Sequence, residues 1–434
     1  MRKVVVSSVS GYYNIGDEAM LDANLLTLRD RGIKEITVLS DNPETTSRLH
    51  RGIKAIPSLY YLFRERYLKS KNSLLNRAVK KYLLKTYLKF MINSISTKSF
   101  NRLSEKEKLF LKSMIEADAF LLCGGGFLND IWTFGGIHAK GSEILLAKSL
   151  GKEVFIGAQS IGPLYKKSSV YFLRNVLENT TITLRDKDFS RETITNMLKL
   201  ENNRIFEVAD DAFSLPFIDK DEALKIFKKE NVDINIIKRK TKVVGINARG
   251  WWKRKGQSNT LRSYVIEILS YLVGKGYHVI FIPMAYTETD AFKDVRTSLE
   301  VVKDANLSNN PNINILRGQY DWFQIKGLIG YMDFAVGISY HFNVFATSLG
   351  VPTIGIYQDD YYKLKLKGFY RLLGKEELAV DVRSTPLDAV KDLLERVMME
   401  KEFLHKRSKD LARTSCYASK QLAEYLQKGG LNEN

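Results

Sequence analysis

The sequence predicts an α/β protein built of two doubly wound domains facing each other across a cleft, and three observations predict it. Short, almost continuously apolar runs such as KVVVSSV, KEITVLS, KEVFIGAQS, TKVVGINAR and VPTIGIY alternate with segments of helical periodicity. That is the pattern of parallel strands covered by helices on both faces. The alternation pauses over residues 215–240, LPFIDKDEALKIFKKENVDINIIKRK, and then restarts. The length of 434 residues suits two or three domains. Each half therefore reads as a Rossmann-like sheet, whose ligands bind beyond the carboxyl ends of the strands.

In the first half, KVVVSSV and KEITVLS flank a helix over residues 17–30. DAFLLCGGG, KEVFIGAQS, TTITLRD and RIFEVAD follow as strands, with GIHAKGSEILLAKSLG and KDFSRETITNMLKL as helices between them. The region 60–114 interrupts this rhythm. Leu75, Val79, Tyr82, Leu83, Tyr87, Phe90 and Met91 recur there at helical spacing, with Arg77, Lys80, Lys81, Lys85 and Lys89 between them. This is a basic amphipathic helix, either packed on its domain with a solvated basic face or docked on an anionic membrane. In the second half TKVVGINAR, YHVIFIPM, INILRG, DFAVGIS and VPTIGIY are strands; TLRSYVIEILSYLVGKG, DWFQIKGLIGYM and FNVFATSLG are helices. The expected division is a first domain at 1–218 with a helical insertion at 60–114, a linker at 219–240, a second domain at 241–385 and closing helices at 386–434.

Lys and Arg number 67 against 49 Asp and Glu, a net charge of +18. Such a balance favours anionic partners: phosphorylated metabolites, an anionic membrane surface or nucleic acid. The sequence has no zinc-finger spacing and no RNP-type motif, which argues against nucleic acid. Two cysteines, Cys123 and Cys416, are too few for a disulfide framework or a zinc site. The start MRK leads straight into a strand with no apolar h-region, and no apolar run reaches the roughly 18 residues of a membrane span. A cytoplasmic protein is expected.

The chemistry-bearing residues cluster at strand ends. In SGYYNIGDEAML, Gly11 and Gly16 have the spacing of the first two glycines of a P-loop. Asp17 and Glu18 stand where that motif needs a lysine and a hydroxyl. An acid suits a sugar hydroxyl, whose proton it can accept, and not a triphosphate. Gly124, Gly125 and Gly126 suit either a tight turn or the passage of a ligand over bare backbone. Arg185 and Asp186 read as an ion pair, and Asp210–Asp211 as an N-cap beside a solvated acid, unless they are functional. Asp290 suits a helix cap, and Trp251 and Trp252 suit packing or stacking on a sugar face. His341 stands between the strand DFAVGIS and the helix FNVFATSLG. The amides of a helix N-terminus favour an anion there, and an imidazole can move a proton beside it.

These stretches resemble, in order, the polysaccharide pyruvyl transferases: GYYNIGDEAML, LLCGGGFLND, GAQSIGPL, TLRDKDFSRE, VADDAFSLP, VGINARGWW, FIPMAYTETD and GISYHFNVFATSLGVPTIGIYQDD. The resemblance implies a GT-B-like fold. It also implies transfer of the pyruvyl unit of phosphoenolpyruvate onto two hydroxyls of a sugar, as a cyclic ketal, in a bacterial surface polysaccharide or its lipid-linked precursor. It carries His341 and Asp17 as catalytic groups, and Arg249, His341, Tyr340, Ser339 and Lys365 as donor contacts. Asn14, Gly16, Asp17, Gly125, Gly126 and Gln159 become acceptor contacts. No metal or cofactor is implied, phosphoenolpyruvate being a co-substrate. An acceptor on a lipid would bring the enzyme to the inner face of the membrane as a peripheral protein. Many family members carry arginine two positions before this histidine; this chain has Ser339, and Lys365 or Lys363 is the candidate replacement. Two other readings stay open on the residues: a glycosyltransferase using a nucleotide sugar on the same fold, and a non-catalytic anion- or membrane-binding protein.

Overall fold

The structure is a computed structural model describing residues 2–68, 77–95, 97–132, 134–200, 203–233, 235, 241–253, 258–286 and 294–429. Leu75 and Asp290 lie outside these residues. The chain forms two compact units, Met1–Tyr12, Met20–Asp211 and Cys416–Asn434 in one, Tyr13–Ala19 and Ala212–Ser415 in the other.

The first unit is a parallel sheet of β1 (Lys3–Ser7), β2 (Glu35–Ser40), β3 (Lys54–Pro57), β4 (Ala119–Leu122), β5 (Gly125–Leu128), β6 (Glu153–Ile161), β7 (Thr181–Leu184) and β8 (Arg204–Glu207). Its order is β3-β2-β1-β4-β6-β7-β8, with β5 paired to β6. The second unit is a parallel sheet of β9 (Val243–Asn247), β10 (His278–Phe281), β11 (Ile313–Ile315), β12 (Phe334–Gly337), β13 (Thr353–Tyr357) and β14 (Ala379–Asp381). Its order is β11-β10-β9-β12-β13-β14. In each sheet the chain builds outward from its first strand, then returns to the other side of it. The reversal creates a switch point between β1 and β4 and another between β9 and β12, where a Rossmann-like sheet opens a crevice.

The apolar runs read from the sequence are the strands of both sheets, and they are buried on both faces as β4, β7, β9, β12 and β13 show throughout their length. Three strands were not expected. β3 begins exposed and ends in Pro57, and β14 has three residues, so neither carries a core strand's signal. β5 begins with Gly125 and Gly126, which read as loop.

The division of the chain also differs from the expected one. The first part of the expected 219–240 linker is not free: Lys220–Lys229 is a helix capped by Asp219, and Ala223, Ile226 and Phe227 are buried in the second unit. The closing helices separate. Leu387–Arg396 and Lys401–Ala412 stay in the second unit, whereas Tyr417–Gln427 belongs to the first. There Ala418, Leu422, Ala423 and Leu426 join Val4, Val6, Leu21 and Leu25 in one core. On the buried Lys326, Nζ donates to the carbonyls of Phe213 at 2.8 Å and Leu215 at 2.7 Å, fixing the chain where it enters the second unit.

The basic helix is observed at Arg77–Ser94. Leu84, Tyr87, Leu88 and Met91 are its buried apolar side chains among the described residues, while Tyr82 is 69% exposed. Packing therefore accounts for its inner face. No described helix is long and apolar enough to cross a membrane.

Two sequence neighbours part company. Arg185 pairs with Asp210 at 2.7 Å, not with Asp186. Asp186 instead accepts from Ser190 N–H at 2.8 Å and its hydroxyl at 2.5 Å. Asp210 and Asp211 are both fully buried, so neither is the solvated acid expected. Asp211 Oδ2 accepts from Asn24 Nδ2 at 2.9 Å and from the Gly124 amide at 3.0 Å. Burial pushes the Asp211 pKa up to about 6, Asp210 adding to it. A carboxyl raised above its unfolded value makes folding less favourable as the unfolded chain ionises first. Asp211→Asn keeps an acceptor for both donors and cannot ionise. The wild type is expected to lose stability relative to this variant between pH about 4 and about 6, with a constant difference above. Denaturant melts across that range read it, and a pH-independent difference would contradict the buried, protonated carboxyl.

Candidate active site

The candidate site grows from the switch point of the second sheet. β9 ends in Asn247, a polar residue closing an apolar run and buried to 1% exposure. Its Nδ2 donates to the Ile282 carbonyl at 3.0 Å and to Asp294 Oδ2 at 3.2 Å. Its Oδ1 accepts from Ser339 N–H at 3.0 Å. Ile282 follows β10 and Ser339 follows β12, so one carboxamide holds three strand ends in register.

Arg249 follows two residues after Asn247. Burial opposes its charge, yet Tyr362, Asp294, Asp17 and Tyr361 around it hold its pKa above the ordinary arginine value. Asp294 is fully buried and accepts from Met284 N–H at 2.8 Å. Burial pushes its pKa up to about 6, although Arg249 and its hydrogen-bond donors act the other way.

The NIGDE loop lies in this unit as well. The Ile15 amide donates to the Met284 carbonyl at 3.1 Å, and the Tyr286 amide to the Tyr13 carbonyl at 3.1 Å. Asn14 bridges Ala285, so the loop is laid against the chain leaving β10. The helix Ile15–Asp30 starts at once, with Asp17 and Glu18 both in its first turn, where the dipole favours acids. Glu18 is fully buried, whereas Asp17 keeps part of its surface exposed.

Gly16 has a specific reason to be glycine. A Cβ there would lie 1.8 Å from Nδ1 of His341 and 2.1 Å from its Cγ. The imidazole therefore lies against bare backbone at the start of that helix, leaving His341 7% exposed. His341 stands in the first turn of the helix Tyr340–Ser348, whose N-cap, Ser339, makes no side-chain cap. The Tyr340 and His341 rings meet edge-on with centroids 5.1 Å apart. Lys365 Nζ lies 5.8 Å from the Tyr340 ring centroid and donates to the Tyr361 hydroxyl at 2.7 Å. Trp251 stacks on Tyr361 at 5.6 Å, and its indole N–H donates to Asp359. With Trp252 only 5% exposed, both tryptophans are packing residues.

Asn14, Gly16, Asp17, Arg249, Ser339, Tyr340, His341 and Lys365 are thus linked through neighbouring contacts within one unit. The loop of Asn14, Gly16 and Asp17, expected in the first domain, joins the arginine and the histidine in the second. Lys363 instead lies where it acts on Asp381: burial pushes that carboxyl up, but Arg383 and, behind it, Lys363 hold it below the ordinary value. Gly125, Gly126 and Gln159 belong to the first unit, where Gly125 pairs with Gln159. Gln159 is fully buried and donates to the Cys123 carbonyl at 2.6 Å. A Cβ on Gly125 would lie 2.1 Å from the Phe127 ring, and one on Gly124 2.6 Å from Asp211, so close packing alone calls for glycine at both.

Two residues of the cluster were missed. Asn247 was visible as the polar end of an apolar run; Asp294, in FKDVRT, carries no motif. Among the described residues no group of three His, Cys, Asp or Glu side chains is placed to hold a metal ion. A cavity of about 700 Å³ lies elsewhere in this unit, lined by residues that include Glu376, Val380, Leu393 and Met399 and none of the cluster. The cluster itself offers a cation for an anion, a helix N-terminus, an imidazole and a partly exposed carboxylate.

The polysaccharide pyruvyl transferase profile matches residues 14–360, from the NIGDE loop through the histidine helix to Asp360. The chain belongs to the polysaccharide pyruvyl transferase family. No curated protein matched the sequence. Among solved structures, a glycosyltransferase from Rickettsia africae is similar with a TM-score of 0.59 at 12% identity, over 100% of both chains. A UDP-GlcNAc 2-epimerase from Neisseria meningitidis, bound to UDP-GlcNAc, gives 0.54 at 13% identity, over 98% of this chain and 100% of that one. The UDP-GlcNAc 2-epimerase of Methanocaldococcus jannaschii gives 0.51 at 12%, over 99% and 100%. At these identities the likeness is one of fold: two parallel-sheet α/β domains of the GT-B type.

Gly16→Ala tests the contact on which this pyruvyl transferase family member's histidine depends. The new methyl must displace the imidazole, since the glycine is backbone at a helix start. A displacement of about 1 Å at a reacting group costs up to about a hundredfold in rate. Activity is expected to fall by about ten- to a hundredfold while the thermal midpoint changes little. Unchanged activity would show that His341 need not lie against this loop.

Proposed function

We propose that the chain transfers the pyruvyl group of phosphoenolpyruvate to two hydroxyls of a sugar in a bacterial surface polysaccharide or its lipid-linked precursor, releasing phosphate. The observation that carries this reading is the convergence of Arg249, His341 and Asp17 at one sheet's switch point in a member of this family.

Phosphoenolpyruvate presents a carboxylate and a phosphate. The Arg249 guanidinium can grip either through two parallel charge-assisted bonds. The N-terminus of the Tyr340–Ser348 helix adds its dipole, and no Ser339 cap competes for the first-turn amides. Lys365, beside Tyr340, supplies the cation that other family members place at the Ser339 position. His341 in its protonated form donates a proton to the methylene carbon, and the enol phosphate becomes an oxocarbenium-like centre. One sugar hydroxyl attacks that carbon, giving up its proton to Asp17. The C–O bond to phosphate then breaks, the second hydroxyl closes the ketal, and its proton leaves with the phosphate. Atoms balance: one hydroxyl proton's equivalent ends on the new methyl group and the other on phosphate.

Removing a general acid–base group costs about 10²- to 10⁴-fold. Phosphate release from phosphoenolpyruvate with saccharide acceptor should fall at least about a hundredfold in His341→Ala and in Arg249→Ala, with the fold retained. His341→Ala turning over near the wild-type rate, with normal folding, would end this assignment. Phosphate release read against a circular dichroism spectrum decides it.

A further inference from the structure

The first unit carries an exposed surface that neither its core nor the proposed reaction uses. On the helix Arg77–Ser94 the outward face shows Tyr82, 69% exposed, between the lysines Lys81 and Lys85. Two other segments bring further aromatic side chains to the surface: Trp132 at 38%, Tyr165 at 67% and Tyr171 at 72% exposure. Lys166 and Lys167 lie beside Tyr165, exposed.

These segments meet around Asp130 and His138. Asp130 Oδ2 accepts from the amides of Tyr165 at 2.6 Å and Lys166 at 2.8 Å, and its Oδ1 from the Ser169 hydroxyl at 2.6 Å. The His138 ring packs tilted against Phe172, the neighbour of Tyr171, with centroids 4.9 Å apart. Burial pushes the His138 pKa down to about 4, and Lys81 and Lys166, from two different segments, push the same way against Asp130. Residues 66–104, 131–142 and 161–177 contain no Asp or Glu. The adjoining Asp130 is itself 8% exposed, with both oxygens engaged.

We infer that this patch of lysines interleaved with exposed tyrosine and tryptophan docks the protein on an anionic lipid bilayer. Tyr and Trp suit the headgroup level, where an apolar ring and a polar tip are both satisfied. Lysines near an anionic surface are attracted within a Debye length. Acid-free segments keep that attraction undiluted. The inference goes beyond the proposed reaction and is measured without substrate, so neither stands or falls with the other.

The test is sedimentation of the full chain with vesicles of pure phosphatidylcholine or of phosphatidylcholine with phosphatidylglycerol. The wild type should partition at least about tenfold more strongly onto the anionic vesicles, the difference shrinking as salt rises. Lys85→Glu, Lys166→Glu and Lys167→Glu together should remove that preference. Tyr82→Ser with Tyr165→Ser should weaken binding at high and low salt alike. All five positions are exposed, and an unchanged melting midpoint confirms that each variant is folded. Equal binding of wild type to both vesicles, or wild-type binding by the charge-reversed variant, would overturn the inference. So would a concentration-dependent dimer abolished by the same substitutions, which would assign the patch to a second copy.

Discussion

The second unit depends on one buried carboxamide. Asn247 closes the first strand of its sheet and spends two hydrogen bonds of donation and one of acceptance on Ile282, Asp294 and Ser339. A buried polar group left without partners costs about 1–3 kcal/mol, so this residue fixes the ends of β9, β10 and β12 relative to each other. The candidate residues hang from those ends. Arg249 follows β9, the chain leaving β10 backs the NIGDE loop, and Ser339, Tyr340 and His341 follow β12. A parallel sheet whose strand order reverses beside its first strand opens a gap there, and Asn247 spans it from within.

A second constraint acts on the loop. Its backbone is pinned by hydrogen bonds from Ile15 to Met284 and from Tyr286 to Tyr13, and its glycine admits the His341 ring. The sequence resembles a phosphate-binding loop because it solves a related problem, bringing backbone close to a functional group. The close neighbour is an imidazole, and the helix that follows opens with acids. Asp17 then stands among the groups that act on Arg249. Carboxylate, guanidinium and imidazole are thereby held by backbone and core, not by flexible surface chain. Preorganisation of that kind lets charged groups act without rearranging at the moment of reaction.

Much of this was legible in the sequence, and the misses have physical causes. Buried parallel strands announce themselves as apolar runs, so every central strand was found; β3, β5 and β14 are short, edge-placed or glycine-led and carry no such run. A reading along the chain divides it at one pause, whereas contacts assign Tyr13–Ala19 to the second unit and Tyr417–Gln427 to the first. The motif around Asp17 was recognisable, but which residues it faces is a matter of tertiary packing. In the sequence Arg185 reads as the partner of its neighbour Asp186. Adjacent residues at a strand end point to opposite sides, and Asp210 occupies the arginine's side. In the basic helix the spacing was helical, but apolar residues occur all around it. Leu84 and Leu88 are inside, and Tyr82, expected inside, faces out.

The proposed function requires the Arg249–His341 cluster to receive phosphoenolpyruvate. Ligand-dependent thermal unfolding of the intact protein measures it most directly, because a ligand that binds only the folded chain raises the midpoint by mass action. Phosphoenolpyruvate is expected to raise the midpoint of the wild type in a concentration-dependent way, and UDP-sugars are not. Stabilisation by a UDP-sugar, with none by phosphoenolpyruvate at millimolar concentration, would contradict the account.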